Sequence, residues 1–337
     1  MTQGNSLPSE FYLLFPAIFG SGVLAWFLTR EFLAFAPKLG LIDVPNERSS
    51  HTKPTLRGGG VGFVLSLAIF ILAMTLSQNL ESLFGYGLFL TSSLVAATGW
   101  VDDRKGLRAS YRLCIHLLAS AILMGLVFET LSLPFTLYFA ASVLFIAWMV
   151  NLYNFMDGTD GLAGLQGVTV AFFSALHCYF SGDFSLFAFF LTVALSVAGF
   201  LFFNWSPAKV FMGDVGSGFL GFLFGALMIF ADAKQTLPLS LSLLLMSVFL
   251  VDTAYTLVVR FFHRENIASA HRTHAYQKAI QRGWSHQKLA IVVSLFNLFL
   301  GVLTFAVRFE HLTLNIACGL ALVPLFVWQI YQRAGCR

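Results

Sequence analysis

Charge is what this sequence has least of. Only 11% of its 337 residues are Asp, Glu, Lys or Arg, against about 25% in an average soluble domain. So few charges do not cover the surface of a water-soluble fold, and 58% hydrophobic content excludes disorder. Cysteine is scarce as well. Cys114, Cys178, Cys318 and Cys336 show neither paired nor metal-ligand spacing, which excludes a disulfide scaffold. The net charge of +4 is too small to argue for nucleic acid as a partner. Long polar stretches are missing too. The longest runs roughly from 260 to 287, so there is no soluble domain and no long linker. A polytopic, all-α membrane protein remains, a single transmembrane domain over 1–337.

Long apolar runs are what the chain does have, 38 Phe among them. A membrane-crossing helix needs about 20 mostly apolar residues. Eleven such stretches lie near 11–29, 58–77, 84–101, 111–129, 134–152, 164–181, 184–203, 217–233, 236–259, 288–307 and 313–331. The first reads as a retained span rather than a cleaved signal, because no Lys or Arg precedes it while Arg30 and Lys38 follow. With the N-terminus outside and the C-terminus inside, 18 of the 20 basic residues fall on the inner side, leaving only Lys234 and Arg308 outside. This asymmetry predicts an N-terminus outside and a C-terminus on the inner side.

The inner loops, near 38–57, 102–110, 151–164, 204–217 and 260–287, hold most of the polar, Gly and Asn residues. Lys53 and Arg57 precede Gly58-Gly59-Gly60, which reads either as a charged anchor or as an anion-binding helix entry. Asp102 and Asp103 end a span, where two adjacent carboxylates favour a cation or a raised pKa. Arg104 and Lys105 are the alternative source of neutralisation. Asn151, Asn154, Asp157 and Asp160 form a segment with no basic residue, and EF-hand spacing is absent. Asn204 opens a segment in which Asp214 stands between Gly213 and Gly216, with Phe211 available to stack on a base. His271, Arg272 and His274 lie in the last inner loop, with the two histidines three apart and no third ligand spaced for zinc. Asp252 lies within an apolar span, where a structural partner is expected.

Together these residues resemble the polyprenyl-phosphate N-acetylhexosamine-1-phosphate transferases. The matching pieces are Asp102-Asp103, then Asn151-x-x-Asn154-x-x-Asp157-Gly158-x-Asp160-Gly161-Leu162. Asn204-x-x-Pro207-Ala208-x-x-Phe211-Met212-Gly213-Asp214-x-Gly216-Ser217 and His271-Arg272-x-His274 complete the set. The resemblance implies an enzyme moving a sugar-1-phosphate from a UDP-N-acetylhexosamine to undecaprenyl phosphate, releasing UMP. It makes the outer and inner sides the periplasmic and cytoplasmic sides of a bacterial inner membrane. It implies Mg2+, with Mn2+ as a substitute, and leaves room for a homodimer. It makes Asp214 the metal ligand, and Asp102 and Asp103 the acidic pair that positions or deprotonates the lipid phosphate. Asn154, Asp157, Asp160 and Phe211 become the nucleoside pocket. Asn204, His271, Arg272 and His274 become contacts of the diphosphate or sugar, and Lys53 adds charge for an anion. The last loop lacks the three consecutive histidines of the phospho-MurNAc-pentapeptide translocases, which points instead to the branch that begins O-antigen or related surface glycans. A transporter for a divalent cation or a phosphorylated solute is the competing class, and it would place charges near the bilayer midplane.

Overall fold

An apolar run inside a bilayer satisfies its backbone hydrogen bonds only as a helix or a closed barrel, and helices dominate here. The computed structural model describes residues 14–45, 53–128, 135–265 and 271–334. The helices are α1 (Phe15–Phe35), α2 (Val61–Leu76), α3 (Ser82–Lys105), α4 (Ala109–Val127), α5 (Phe135–Met156), α6 (Leu162–Phe180) and α7 (Phe184–Asn204). They continue as α8 (Gly213–Ala233), α9 (Leu239–Leu245), α10 (Ser247–Phe262), α11 (Ala275–Gln281), α12 (His286–Arg308) and α13 (Leu314–Arg333). Each of the eleven expected stretches becomes helix, but not each becomes a full span. Nine helices among the described residues are long and apolar enough to cross a membrane. The stretch at 236–259 is a pair, α9 and α10, bent by 77°. The stretch at 58–77 yields α2, whose 16 residues reach only about 24 Å at 1.5 Å per residue.

The break between α9 and α10 has a tertiary cause. A helix end leaves carbonyls without partners, and here the Gln166 amide on α6 donates to the Leu245 carbonyl at 3.3 Å. The Asn297 amide on α12 in turn donates to the Gln166 oxygen at 2.7 Å.

At the centre stands α8, buried along almost its whole length. It is apolar on every side, as a fully enclosed helix must be, and α2, α3 and α5 pack around it. Lipid offers no hydrophobic drive for helices to associate, so close contact comes from small residues. Gly221 lies so near α5 that a Cβ there would stand 2.3 Å from the Met149 carbonyl oxygen. Phe84 and Phe230 stack at 3.8 Å between ring centres where α3 meets the far end of α8.

The two ends of the bundle differ. At one end sit an exposed Lys234–Glu81 pair, the Tyr138–Asp232 contact and Arg308 on Ser181. At the other end all five expected inner loops meet. Strands β1 (Ile42–Asp43) and β2 (Thr55–Leu56) pair antiparallel there, and Leu56 forms a parallel bridge to Val210. This bridge joins the first inner loop to the fourth. Residues 46–52 and 266–270, parts of the first and fifth loops, lie outside the described residues.

Candidate active site

The site is built around the N-terminus of α8. The first N–H groups of a helix have no intrahelical partner and carry partial positive charge. Here they are taken by carboxylates from other elements. The Gly213 N–H bonds to Asp157. The Asp214 and Val215 N–H groups donate to the two oxygens of Asp103 at 2.9 and 3.0 Å. Gly213 makes the approach possible, with φ of +75° and a position where a Cβ would meet Asp103 Oδ2 at 2.6 Å. Asp103 has no side-chain exposure.

Two arginines complete the cluster. Arg57 binds Asp103 Oδ1 through Nε at 2.6 Å and Asp214 Oδ1 through a terminal nitrogen at 2.7 Å. Arg112, at the start of α4, binds Asp214 Oδ2 at 2.8 Å and also Asp102. Asp102 accepts the Leu107 N–H as well, closing the turn after α3. Asp214 is thus held between two guanidinium groups, one anchored on each member of the Asp102-Asp103 pair. Backbone pairing fixes Arg57 in turn. The Phe211 N–H donates to the Leu56 carbonyl at 2.8 Å and the Gly59 N–H to the Phe211 carbonyl at 2.9 Å. Burial alone would lower the Arg57 pKa, but the carboxylates of Asp214, Asp103 and Asp43 outweigh it, and the guanidinium is held above its ordinary range.

Asn154 reaches the same cluster, bonding the Asp214 carboxylate and lying 3.4 Å from Ser217 Oγ. With Asn151, Thr98, His116 and Arg112 it lines a narrow cleft ending on Asp214. The Asp157 carboxyl is pushed well above the usual range by burial and by repulsion from Asp214. Asp160 does otherwise. Its burial would raise the pKa, yet contacts with His286, the Ala208 N–H and Ser206 bring it below the ordinary value. His286 Nδ1 lies 3.0 Å from Asp160 Oδ1. Asn204 is buried and bonded at both ends of its amide: it accepts the Gly161 N–H at 3.0 Å and donates to the Val210 carbonyl at 2.9 Å. It ties the third inner loop to the fourth.

The fifth loop approaches from the other side. Tyr276 Oη donates to the Phe155 carbonyl at 2.9 Å. His271 and His274 stack with ring centres 5.0 Å apart, each facing Phe155. Burial lowers the His271 pKa to about 4, with His274 and Arg260 acting in the same direction. Arg272 is exposed, and so is Lys53, four residues before Arg57. Phe211 is half-buried beside the cluster.

Sequence reasoning grouped Asp102, Asp103, Asp157 and Asp214 correctly on one face but did not foresee their partners. Asp102 and Asp103 both lie against Asp214, and their neutralising cations are Arg112 and Arg57, not the adjacent Arg104 and Lys105. Arg112 carried a signal: it lies one helical turn into the next apolar helix, on the inner side. Asp160 does have a basic partner, His286, 126 residues away, and nothing in the sequence marks it.

Four acidic side chains gather about two guanidinium groups, and Asp157 among them is raised first by burial and then by repulsion from Asp214. Among the described residues no three His, Cys, Asp or Glu side chains form a preformed metal cage. This donor set fits Mg2+ rather than a caged metal, because Mg2+ takes one or two carboxylates and completes its shell with water and phosphate oxygens.

A bundle of membrane-length helices with an acid–arginine cluster at one end is the build of a polytopic membrane protein. The comparisons with known proteins make this specific. Residues 85–232 match the model of glycosyl transferase family 4. An undecaprenyl-phosphate α-N-acetylglucosaminyl 1-phosphate transferase of Thermotoga maritima is 31% identical over 318 residues, covering 92% of this chain and 96% of that one. A probable undecaprenyl-phosphate N-acetylglucosaminyl 1-phosphate transferase of Bacillus subtilis is 28% identical over 273 residues, 77% and 75% of the two chains. A phospho-N-acetylmuramoyl-pentapeptide-transferase of Listeria innocua is 31% identical over 243 residues, 65% and 72%. The chain belongs to glycosyl transferase family 4, the polyprenyl-phosphate hexosamine-1-phosphate transferases.

Proposed function

We propose that this protein transfers an N-acetylhexosamine-1-phosphate from a UDP-sugar to undecaprenyl phosphate, at the cytoplasmic face of a bacterial inner membrane. The observation that carries the reading is the Arg57–Asp214–Arg112 arrangement at the N-terminus of α8, with an acidic anchor behind each arginine. An oxygen of the lipid phosphate attacks the sugar-bearing phosphorus. The bond from that phosphorus to the bridging oxygen breaks, and the bridging oxygen leaves with UMP. A phosphate oxygen is already nucleophilic at neutral pH, so the chemistry asks for charge neutralisation and alignment more than for a base. Arg57 and Arg112 suit that task, since a planar guanidinium grips phosphate with paired donors. Asp102 and Asp103 hold those guanidinium groups in place for the two phosphates. Asp214 would hold Mg2+, or Mn2+ in its stead, and the ion would neutralise charge on the donor phosphates.

Asn154, Asp157, Asp160 and Phe211 are proposed to form the nucleoside pocket. His271, Arg272 and His274 would meet the diphosphate or sugar, with Lys53 at the rim. Asn204, bonded to the Gly161 N–H and the Val210 carbonyl, would act by holding two of these loops together. A membrane location suits a lipid acceptor and a soluble donor meeting at one interface. The excess of basic residues at the site's end of the bundle supports the cytoplasmic assignment. The Listeria relative gives weight to a muramyl-pentapeptide donor. Against it, the last loop reads His271-Arg272-Thr273-His274 rather than three consecutive histidines, so we place the product in O-antigen or related surface-glycan synthesis.

Replacing Asp214 tests the reading. Asp214→Asn keeps the side chain's shape, and its amide cannot serve as a charged ligand. Release of UMP from UDP-N-acetylhexosamine should fall by at least about 100-fold in variant protein that is still folded. Near-normal turnover would remove Asp214 from the metal-binding role.

A further inference from the structure

The last turn of α13 grips the fifth inner loop, and Arg333 is the centre of the contact. Its guanidinium joins three elements. One terminal nitrogen bonds the Gln329 carbonyl at 3.3 Å, and the Gln329 side-chain oxygen as well, one turn back on α13. The other donates to Thr256 Oγ1 on α10 at 2.6 Å and to the Thr273 carbonyl in the loop at 3.3 Å. The guanidinium also lies over the Tyr255 ring, 4.6 Å from its centre. Thr256 in turn donates to Asp252 at 3.2 Å. Asp252 accepts the Ala275 and Tyr276 N–H groups at 3.0 and 3.1 Å, at the N-terminus of α11. Arg333 thus reaches the loop twice, directly at Thr273 and through Thr256 and Asp252 at the start of α11.

Neighbouring contacts hold the same stretch. The Gln281 amide donates to the Arg272 carbonyl at 3.1 Å, and the His274 N–H donates to the Gln277 side chain at 3.3 Å. Arg282, just past α11, donates to the Tyr331 carbonyl at 2.7 Å and to that of Ala334. Carbonyls at a helix end lack helical partners, so the end of α13 and the end of α11 satisfy each other. Each residue from 272 to 276 therefore has a backbone group bonded into this frame, while the Arg272 side chain stays exposed.

We propose that Arg333 is a positioning residue for the UDP-sugar: from the last turn of the C-terminal helix it fixes the backbone of 272–276, so that the Arg272 guanidinium is held ready for the donor's diphosphate. This rests on the reading that the fifth loop meets the donor. A loop ordered only when the ligand arrives takes its loss of freedom out of the binding energy, and one ordered beforehand does not. A guanidinium suits the task, because its planar fork holds several acceptors in one geometry. Arg333 thereby acts on donor affinity through the loop, without touching the donor.

Two measurements on the full chain reconstituted in lipid test this. Hydrogen exchange read by mass spectrometry reports the loop itself. In Arg333→Gln, peptides spanning 271–281 should exchange at least about tenfold faster than in the parent, with peptides from α8 unchanged. Steady-state kinetics report the consequence. The same variant should raise KM for the UDP-sugar about tenfold and leave KM for undecaprenyl phosphate unchanged. Arg333→Lys keeps the charge without the fork and should recover part of the loss. In an Arg272→Gln background, Arg333→Gln should add little, since both losses concern one guanidinium. Unchanged exchange of the loop in Arg333→Gln overturns the proposal. So does an unchanged donor KM, an equal rise of KM for both substrates, or a double variant that shows the full product of the two single effects. If Arg333→Gln does not fold, Thr256→Val, which removes one hydroxyl from the path to Asp252, decides by the same exchange and KM measurements. Failure of the parent to turn over any UDP-sugar would instead count against the transferase reading, and the exchange result is independent of it.

Discussion

At the residue scale, the site rests on carboxylates that do different work in similar surroundings. Asp103 spends both oxygens on backbone N–H groups and Arg57, and has no exposure. Asp214 keeps some exposure toward the cleft. Asp157 is driven up by burial and a like charge, and Asp160 is brought down by His286 and neighbouring donors. His271 gives the most direct titration test. Its folded pKa near 4 lies below an ordinary histidine value of about 6.5. The folded state thus prefers the neutral ring. That contribution to stability is fully present above about pH 6.5 and is lost as pH falls from there toward 4. NMR titration of His271 should show a neutral imidazole at pH 7 and a midpoint near 4. A midpoint at or above 6.5 would contradict the packing of His271 against Phe155 and His274.

At the scale of elements, spans were legible and their interruptions were not. Apolar length and inner-side charge located α3, α5, α6 and α7 within a few residues, because a bilayer imposes one requirement on every segment that crosses it. The bend at Met246 has no Gly or Pro to announce it. Gln166 supplies the partner of the Leu245 carbonyl from 79 positions away, and Asn297, 131 positions from Gln166, holds it there, relations no local pattern carries. Asp252 is similar. Its need for a structural partner was readable from its apolar surroundings, whereas the identity of that partner, the N-terminus of the short helix α11, was not. Close helix contact also sets the site. Gly99 on α3 touches the backbone of Asp214 so closely that a Cβ would stand 2.3 Å from the Asp214 carbonyl oxygen. Backbone cannot step aside as a flexible side chain does, so Gly99→Ala must push α3 from α8. We expect it to lower thermal stability by roughly 1–3 kcal/mol, in the range of an overpacked core, and to reduce turnover more than about tenfold. Unchanged activity with unchanged stability would show that α3 and α8 are not held in this register.

At the scale of the whole molecule, two ends of one helical bundle carry different chemistry. One end has isolated pairs such as Glu81 with Lys234. The other gathers five segments far apart in sequence around the start of α8. The residues that would do chemistry were visible in the sequence as a set, since uncompensated Asp and Asn are conspicuous in an apolar chain. Their division of labour was not, because it depends on which oxygen meets which N–H. Asn204 looks like a ligand contact by motif and is a staple by geometry. Arg57 and Arg112 look like ordinary inner-side charge and are the groups that hold Asp214 in place. The acids sit at one end of the bundle rather than midway along it, the arrangement that the proposed reaction between a lipid phosphate and a soluble nucleotide sugar would need.

The central claim is that this interface joins those two substrates. The protein, purified and reconstituted in lipid with undecaprenyl phosphate, should be offered a panel of UDP-N-acetylhexosamines with Mg2+, and the lipid fraction analysed by mass spectrometry. The account predicts undecaprenyl diphosphate carrying one hexosamine for at least one donor, with UMP released in equal amount. Release of UDP with a monophosphate-linked sugar, or no lipid product from any donor, would contradict it.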